Sequence, residues 1–303
     1  MEMNLNISIA GIEWQNPVTT ASGTVNSGKE YSPYVDFSKL GALTTKSVSA
    51  KPWKGSETPR IAETYGGMVH SIGLQNPGID EFIRRDIPYF KKLDTAIIVN
   101  ICAREENDFV EVARRLEEAS GIHMLELNLA CKSDDLGGFR FAQNTKWTES
   151  VLAKVKKVTN LPVIAKLTPN VTDIAEIAKA AEAGGACALS LINSVSAMRI
   201  NIETRKPILA SAMGGLSGPA IKPIALRCVY QAYKATNIPI IGMGGIMTGD
   251  DAIEILMAGA TAVGVGMAHF INPRAALEVI EGIEAYMEKY GIDDVAELTG
   301  AAH

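Results

Sequence analysis

Eight short apolar or β-branched runs, bounded by Gly, Pro or Asn and mostly separated by segments of helical spacing, constrain this chain more than any other feature. They are VTTAS (18–22), ALTTKS (42–47), AIIVNI (96–101), MLELNLA (124–130), PVIAKL (162–167), ALSLIN (188–193), PIIGMG (239–244) and AVGVG (262–266). Runs of this length and composition read as buried strands. Segments 108–119, 147–158, 173–183, 220–235 and 249–259 place apolar residues on one helical face. Strand then helix, repeated through 303 residues, predicts a (β/α)8 TIM barrel as one domain, residues 1–303. The rival is a doubly wound sheet, but no GxGxxG follows the first strand, and the late glycine pairs suit a barrel's phosphate site better.

Ahead of the first run, NLNISIAGIEWQNP alternates around Ala10-Gly11, which predicts a hairpin capping the bottom of the barrel. Residues 49–85 outrun an ordinary βα connection, so a long functional loop over the carboxyl-terminal face is expected there.

Composition removes several classes of function. The net charge of -5 is spread without long like-charge runs, which leaves no footprint for nucleic acid or an anionic membrane. No apolar run reaches about 18 residues, and MEMNLNISIAG lacks the order of a signal peptide, so a cytoplasmic location is expected. Cys102, Cys131, Cys187 and Cys228 have no metal-like spacing; free thiols and no metal site are expected. A small molecule is the expected partner.

Barrel active sites lie at the carboxyl ends of the strands. Ser22 and Thr24 follow the first run, Lys46 and Ser47 end the second, Asn100 ends the third, and Asn128 and Cys131 end the fourth. Lys166 closes the fifth, Asn193 and Ser194 the sixth, Gly244 and Gly245 the seventh, and Gly266 the eighth. Lysines and asparagines ending apolar strands are costly to bury alone, so an anionic or amide-rich ligand such as a flat heteroaromatic cofactor would satisfy them. The plainer alternative is that each merely holds loop backbone. GGLSG (214–218), GMGGI (242–246) and VGVGM (263–267) set bare amides near helix starts, where a phosphate binds, although tight turns also need glycine. Cys131 sits past the fourth run beside Lys132, a place that favours thiolate, and is a candidate base or nucleophile. The other three cysteines read as core.

The stretches TTASGT, TTKSV, SIGLQNPG, AKLTPNVTDIAEIAKAAEAGGA, ETRKP, GGLSGPAIKPIALR and IPIIGMGGI resemble the FMN-dependent dihydroorotate dehydrogenases over nearly the whole chain. The likeness is greatest to the class 1B catalytic subunit. It implies FMN held by Ala21, Ser22, Lys46, Ser47, Asn100, Asn128, Lys166 and Ile192, with its phosphate on Gly218, Gly244, Gly245, Gly266 and Met267. It implies catalysis by Cys131, which matches the cysteine of the family's NxSCPN loop, with Lys46 beside it. Substrate would meet His70, Ile72, Gly73, Leu74, Asn128, Ser133, Asn193 and Ser194. A homodimer is implied, as is a separate electron-transfer subunit carrying FAD and an iron–sulfur centre, because no cluster motif lies in this chain.

Two substrate positions depart from the family. His70 replaces an asparagine, and Lys132-Ser133 replaces Pro-Asn; Met267 and His269 replace Thr and Asn nearer the phosphate. An amide offers donor and acceptor together, whereas serine is shorter and histidine differs in geometry. An intact flavin set beside an altered substrate set predicts redox at a C–C bond next to a carbonyl, on a cyclic amide or carboxylate related to dihydroorotate but distinct from it. Arg104, Arg199 and Lys132 either serve an additional carboxylate or simply face solvent. Three alternatives stay open: a genuine dihydroorotate dehydrogenase of pyrimidine biosynthesis, a non-redox phosphate-binding lyase or isomerase with Lys46 or Lys166 as Schiff-base lysine, and a non-catalytic subunit.

Overall fold

The computed structural model describes residues 3–130 and 141–303. Eight parallel strands close a barrel in chain order: β1 Val18–Thr20, β2 Ala42–Thr44, β3 Ala96–Ile101, β4 Met124–Asn128, β5 Val163–Lys166, β6 Ala188–Leu191, β7 Ile240–Met243 and β8 Ala262–Val265. Closure runs through Val263 of β8 opposite Val18 of β1. Every barrel-strand residue is buried, as strands covered by helices outside and side chains inside must be. All eight expected strands are present. All but β3 end one to three residues before their apolar runs do, because the last polar residues leave the ladder and turn into the loops.

The helices Glu106–Glu117, Thr145–Lys156, Ile174–Ala183, Lys222–Ala235 and Gly249–Met257 fall within two residues of the expected spans, and Ala275–Tyr290 follows β8. Three of the starts are set by side-chain caps: Asn144 accepts from the Trp147 amide, Asp173 accepts from the Ala175 amide, and Thr248 with Asp251 forms a reciprocal box. Each presents one apolar face inward, as Phe109, Val112, Ala113 and Leu116 do. At the amino end, Ile7–Ile9 pairs with Ile12–Trp14 across Ala10 and Gly11, whose φ of 52° and 80° make the tight turn that matches strand twist. Asn16 Oδ1, just after this hairpin, accepts from the Val18 and Gly41 amides and clamps it beneath β1 and β2.

The 49–85 stretch differs from expectation. Part of it is a hairpin, Ile61–Thr64 with Gly67–His70, extended by Met213–Ser217 and Val195–Met198 into a four-stranded antiparallel sheet. The sheet grows from the connections after β2 and β6 and therefore lies on the carboxyl-terminal side. Its strands are short and glycine-bearing, which hides them from propensity. The glycines are needed for close approach: a Cβ on Gly67 would stand 2.0 Å from the Ser217 carbonyl oxygen, and one on Gly214 2.5 Å from that of His70. A small cluster of Ala62, Val69 and Leu209 packs against it, apart from the main core that runs from Ile7 to Leu298. No helix among the described residues is long and apolar enough to cross a membrane.

Candidate active site

The ends of the strands are tied to one another, and this brings most of the expected site residues together. The Ala21 amide, just past β1, donates to the Val265 carbonyl of β8 at 2.7 Å. Gly266 lies beside it, since a Cβ there would stand 3.4 Å from the Ala21 methyl. Ser22 is half-buried next in line. Lys46 leaves β2 with its amide on the Asn26 carbonyl, and its Nζ runs along Gly23, 3.5 Å from where a Cβ would be. Ser47 is buried behind it.

Gly218, Gly244 and Gly245 have φ of 114°, 126° and 80°, a region side chains rarely enter. A Cβ would meet Met267 Sδ at 2.6 Å from Gly218, Ile192 Cγ1 at 3.1 Å from Gly244, and the Lys222 nitrogen at 2.7 Å from Gly245. Ile192, Met267 and these glycines thus form a floor of bare backbone at the ends of β6, β7 and β8, where two helices begin. Backbone that no side chain covers, in such a place, suits a phosphate.

Inside the barrel, Asn100 of β3, Glu126 of β4, Lys166 of β5 and Ser190 of β6 meet. Asn100 Nδ2 donates to Glu126 Oε1 at 2.5 Å, Ser190 Oγ donates to Oε2 at 2.6 Å, and Lys166 Nζ stands 3.9 Å from Oε2. Since β5 separates β4 from β6, Glu126 reaches Ser190 across the lumen. Burial pushes the Lys166 ammonium below its ordinary pKa, and the Glu126 charge pulls it back up. The Asn100 nitrogen thus faces Glu126. Its other end, Oδ1, is buried without a hydrogen-bond partner among the described residues. A buried acceptor, a buried cation and a bare-backbone floor fit a flat, heteroatom-rich ring carrying a phosphate, which is the shape of FMN.

The expected substrate residues form a third group. His70 Nε2 shares a hydrogen bond with Ser217 Oγ at 2.9 Å, and a Cβ on Gly215 would lie 2.0 Å from Ser194 Oγ and 3.6 Å from His70 Cε1. Asn193 Nδ2 donates to Asn128 Oδ1 at 3.3 Å, and the Ser194 amide to Asn193 Oδ1 at 2.7 Å, so the ends of β4 and β6 are linked. Ile72, Gly73 and Leu74 follow His70, the last two with φ of 74° and 56°. A leucine in that region persists only where surroundings over-determine the backbone. Here Asn76 does so: its Nδ2 donates to the Leu74 carbonyl, and its Oδ1 accepts from the Ser49 and Gly78 amides. Burial first, and the nearby Lys46 charge second, push the His70 imidazole below its ordinary value, so it is neutral at neutral pH. Buried His269 is pushed down to about 4 by desolvation and rests its Nδ1 on the Gly266 carbonyl.

Cys131, Lys132 and Ser133 lie outside the described residues; the chain is followed to Ala130, two residues past β4. Arg104 lies over the Trp53 ring, and Arg199 donates to the Glu63 carbonyl; both are exposed, which matches the solvent-facing alternative. Four residues escaped the sequence reading. Asn170 pins the segment after β6 by donating to the Ser194 carbonyl and accepting from the Ser196 amide. Ser217 holds His70. Glu126 and Ser190 complete the polar centre. Glu126 had a signal, a charge inside the apolar run MLELNLA, of the same kind that singled out Lys166. Among the described residues no group of three His, Cys, Asp or Glu side chains is placed to hold a metal.

The family model described as dihydroorotate dehydrogenase matches residues 4–287. The chain is similar to the protein named "Dihydroorotate dehydrogenase B (NAD(+)), catalytic subunit" of Alkaliphilus metalliredigens, at 56% identity over 300 residues covering 99% of each. Proteins of the same name from Alkaliphilus oremlandii, 57% identical with 98% of each covered, and Desulforamulus reducens, 52% identical over the full length of both, are also similar. Among solved structures, DHODH from Eimeria tenella in complex with ferulenol superposes with a TM-score of 0.83 at 23% identity, over 99% of this chain and 89% of that one. At that identity the likeness establishes the TIM-barrel fold alone.

Proposed function

The chain belongs to the dihydroorotate dehydrogenase family, FMN-dependent oxidoreductases acting on CH–CH bonds, and from that premise we propose that it is the catalytic subunit of a class 1B enzyme that oxidises dihydroorotate to orotate in the cytosol. The observation that carries this reading is the full-length identity of more than half with relatives bearing that name. It weighs for dihydroorotate itself over the different substrate expected from His70 and Ser133. The chemistry of His70 supports the same choice. With Nε2 engaged by Ser217, the neutral ring still offers a lactam edge one hydrogen-bonding group at Nδ1, donor or acceptor according to the tautomer that Ser217 selects.

FMN would be held by Ala21, Ser22, Lys46, Ser47, Asn100, Asn128, Lys166 and Ile192, with its phosphate on the amides of Gly218, Gly244, Gly245, Gly266 and Met267. When bound, it supplies the acceptor for a hydride leaving the substrate. The chain's own part is to take a proton from the carbon next to the substrate carbonyl at Cys131 Sγ. A thiol pKa of about 8.5 can be tuned by Lys46 and Lys132 toward neutral pH. His70, Asn128, Asn193, Ser194 and Ser133 would orient the ring, with the turn of Ile72, Gly73 and Leu74 over it. Lys46 would place positive charge near the flavin and the substrate. The product, a planar pyrimidinedione with one carboxylate, suits a cleft lined by amides and a lysine.

Electrons must then leave for NAD(+) through a separate subunit carrying FAD and an iron–sulfur centre, and the catalytic chain is expected to form a homodimer. With that subunit co-expressed, dihydroorotate should drive NADH formation with equimolar orotate. The catalytic chain alone should form none. NADH formation by the isolated chain, or a flavin-loaded complex that makes no orotate, would overturn the assignment.

A further inference from the structure

We infer that Glu126 is a positioning residue: it is the counter-ion that keeps Lys166 an ammonium inside the closed barrel, and so sets the charge of the polar edge of the flavin site. The inference rests on the FMN reading given above, but its grounds are geometric. Lys166 is 3% exposed and Glu126 1% exposed, on neighbouring strands whose register puts Asn128 directly opposite Lys166. Among the described residues, Lys166 is faced by the Glu126 carboxylate and Asn128 from β4, Ser190 from β6 and the Met243 thioether from β7. Of these only Glu126 carries charge.

The carboxylate is itself fixed. Asn100 from one side and Ser190 from across the lumen each spend a proton on one of its oxygens. Both carboxylate oxygens are thus held by neutral donors, and the negative charge of Glu126 beside Lys166 favours the ammonium form. A methionine sulfur and a serine hydroxyl cannot do this in its place. Remove the charge of Glu126 and desolvation acts on the lysine unopposed, so it gives up its proton at a lower pH than in the wild type.

The test is the affinity of apo-protein for FMN, read from quenching of flavin fluorescence across roughly pH 5.5 to 9.5, a span wide enough for a buried lysine that has lost its counter-ion to titrate within it. For the wild type it should be flat apart from any trend shared by all variants. For Glu126→Gln it should weaken at least about tenfold as pH rises, because the neutral amine no longer pairs with an electron-rich ring edge. In the double variant E126Q/K166M the added dependence should vanish, which assigns it to Lys166. A merely structural role for Glu126 would weaken binding equally at every pH, and a Glu126→Gln profile parallel to wild type overturns the inference. If Glu126→Gln does not fold, carbon NMR of labelled lysines in the wild-type apo-protein decides, with the Lys166 signal identified by its loss in K166M. A charged Lys166 at pH 7.5 supports the inference and a neutral one overturns it. Wild-type protein that takes up no FMN would instead overturn the functional reading.

Discussion

Replacing Cys131 with alanine should leave a protein that still binds FMN but is reduced by dihydroorotate about 10²–10⁴ times more slowly, the range over which a positioned acid–base group acts. The thiolate has one task, to accept the proton from the carbon beside the carbonyl, and the flavin contacts attributed to Ala21, Asn100, Lys166 and the glycine floor do not involve it. Stopped-flow reduction under anaerobic conditions measures the effect directly. Serine at the same position should recover part of the rate only at high pH, since its hydroxyl is a far weaker acid. An alanine variant reduced at the wild-type rate would remove Cys131 from the chemistry.

The second large effect is on the fold itself. Lys166→Met should cost the apo-protein about 3–5 kcal/mol of stability in urea unfolding, because removing one member of a buried ion pair strands the other. Glu126 keeps its hydrogen bonds to Asn100 and Ser190, which places the loss toward the lower end of that range. The same substitution should weaken FMN binding by about ten- to a hundredfold, the worth of a hydrogen bond from a charged donor. Adding Glu126→Gln should restore part of the stability but none of the affinity. Stability unchanged by Lys166→Met would mean that the lysine is already neutral in the barrel.

The barrel was legible because its signal is repeated. Each apolar run between Val18 and Gly266 is individually ambiguous, but eight of them separated by helical faces leave one common architecture. The polar residues of the site were legible for the same reason, as interruptions of apolar strands at a fixed end. What escaped was set by tertiary contact. The sheet built from 61–64, 67–70, 195–198 and 213–217 depends on glycines that let backbones touch, and glycine argues against a strand when read locally. Ser190 means nothing until Glu126 reaches it across the lumen, and Ser217 nothing until His70 pairs with its hydroxyl. Residue type alone also does not reveal that burial and Lys46 push the His70 imidazole below its ordinary pKa, or that Ser217 engages its Nε2.

Anaerobic titration of the purified protein with dihydroorotate, followed at the flavin band near about 450 nm, is the most direct test of the central claim, because the cofactor reports its own reduction. Bleaching should be stoichiometric, one dihydroorotate per flavin, with orotate recovered in equal amount. A yellow protein that stays oxidised through a large excess of dihydroorotate would keep the barrel and the cofactor and contradict the proposed substrate.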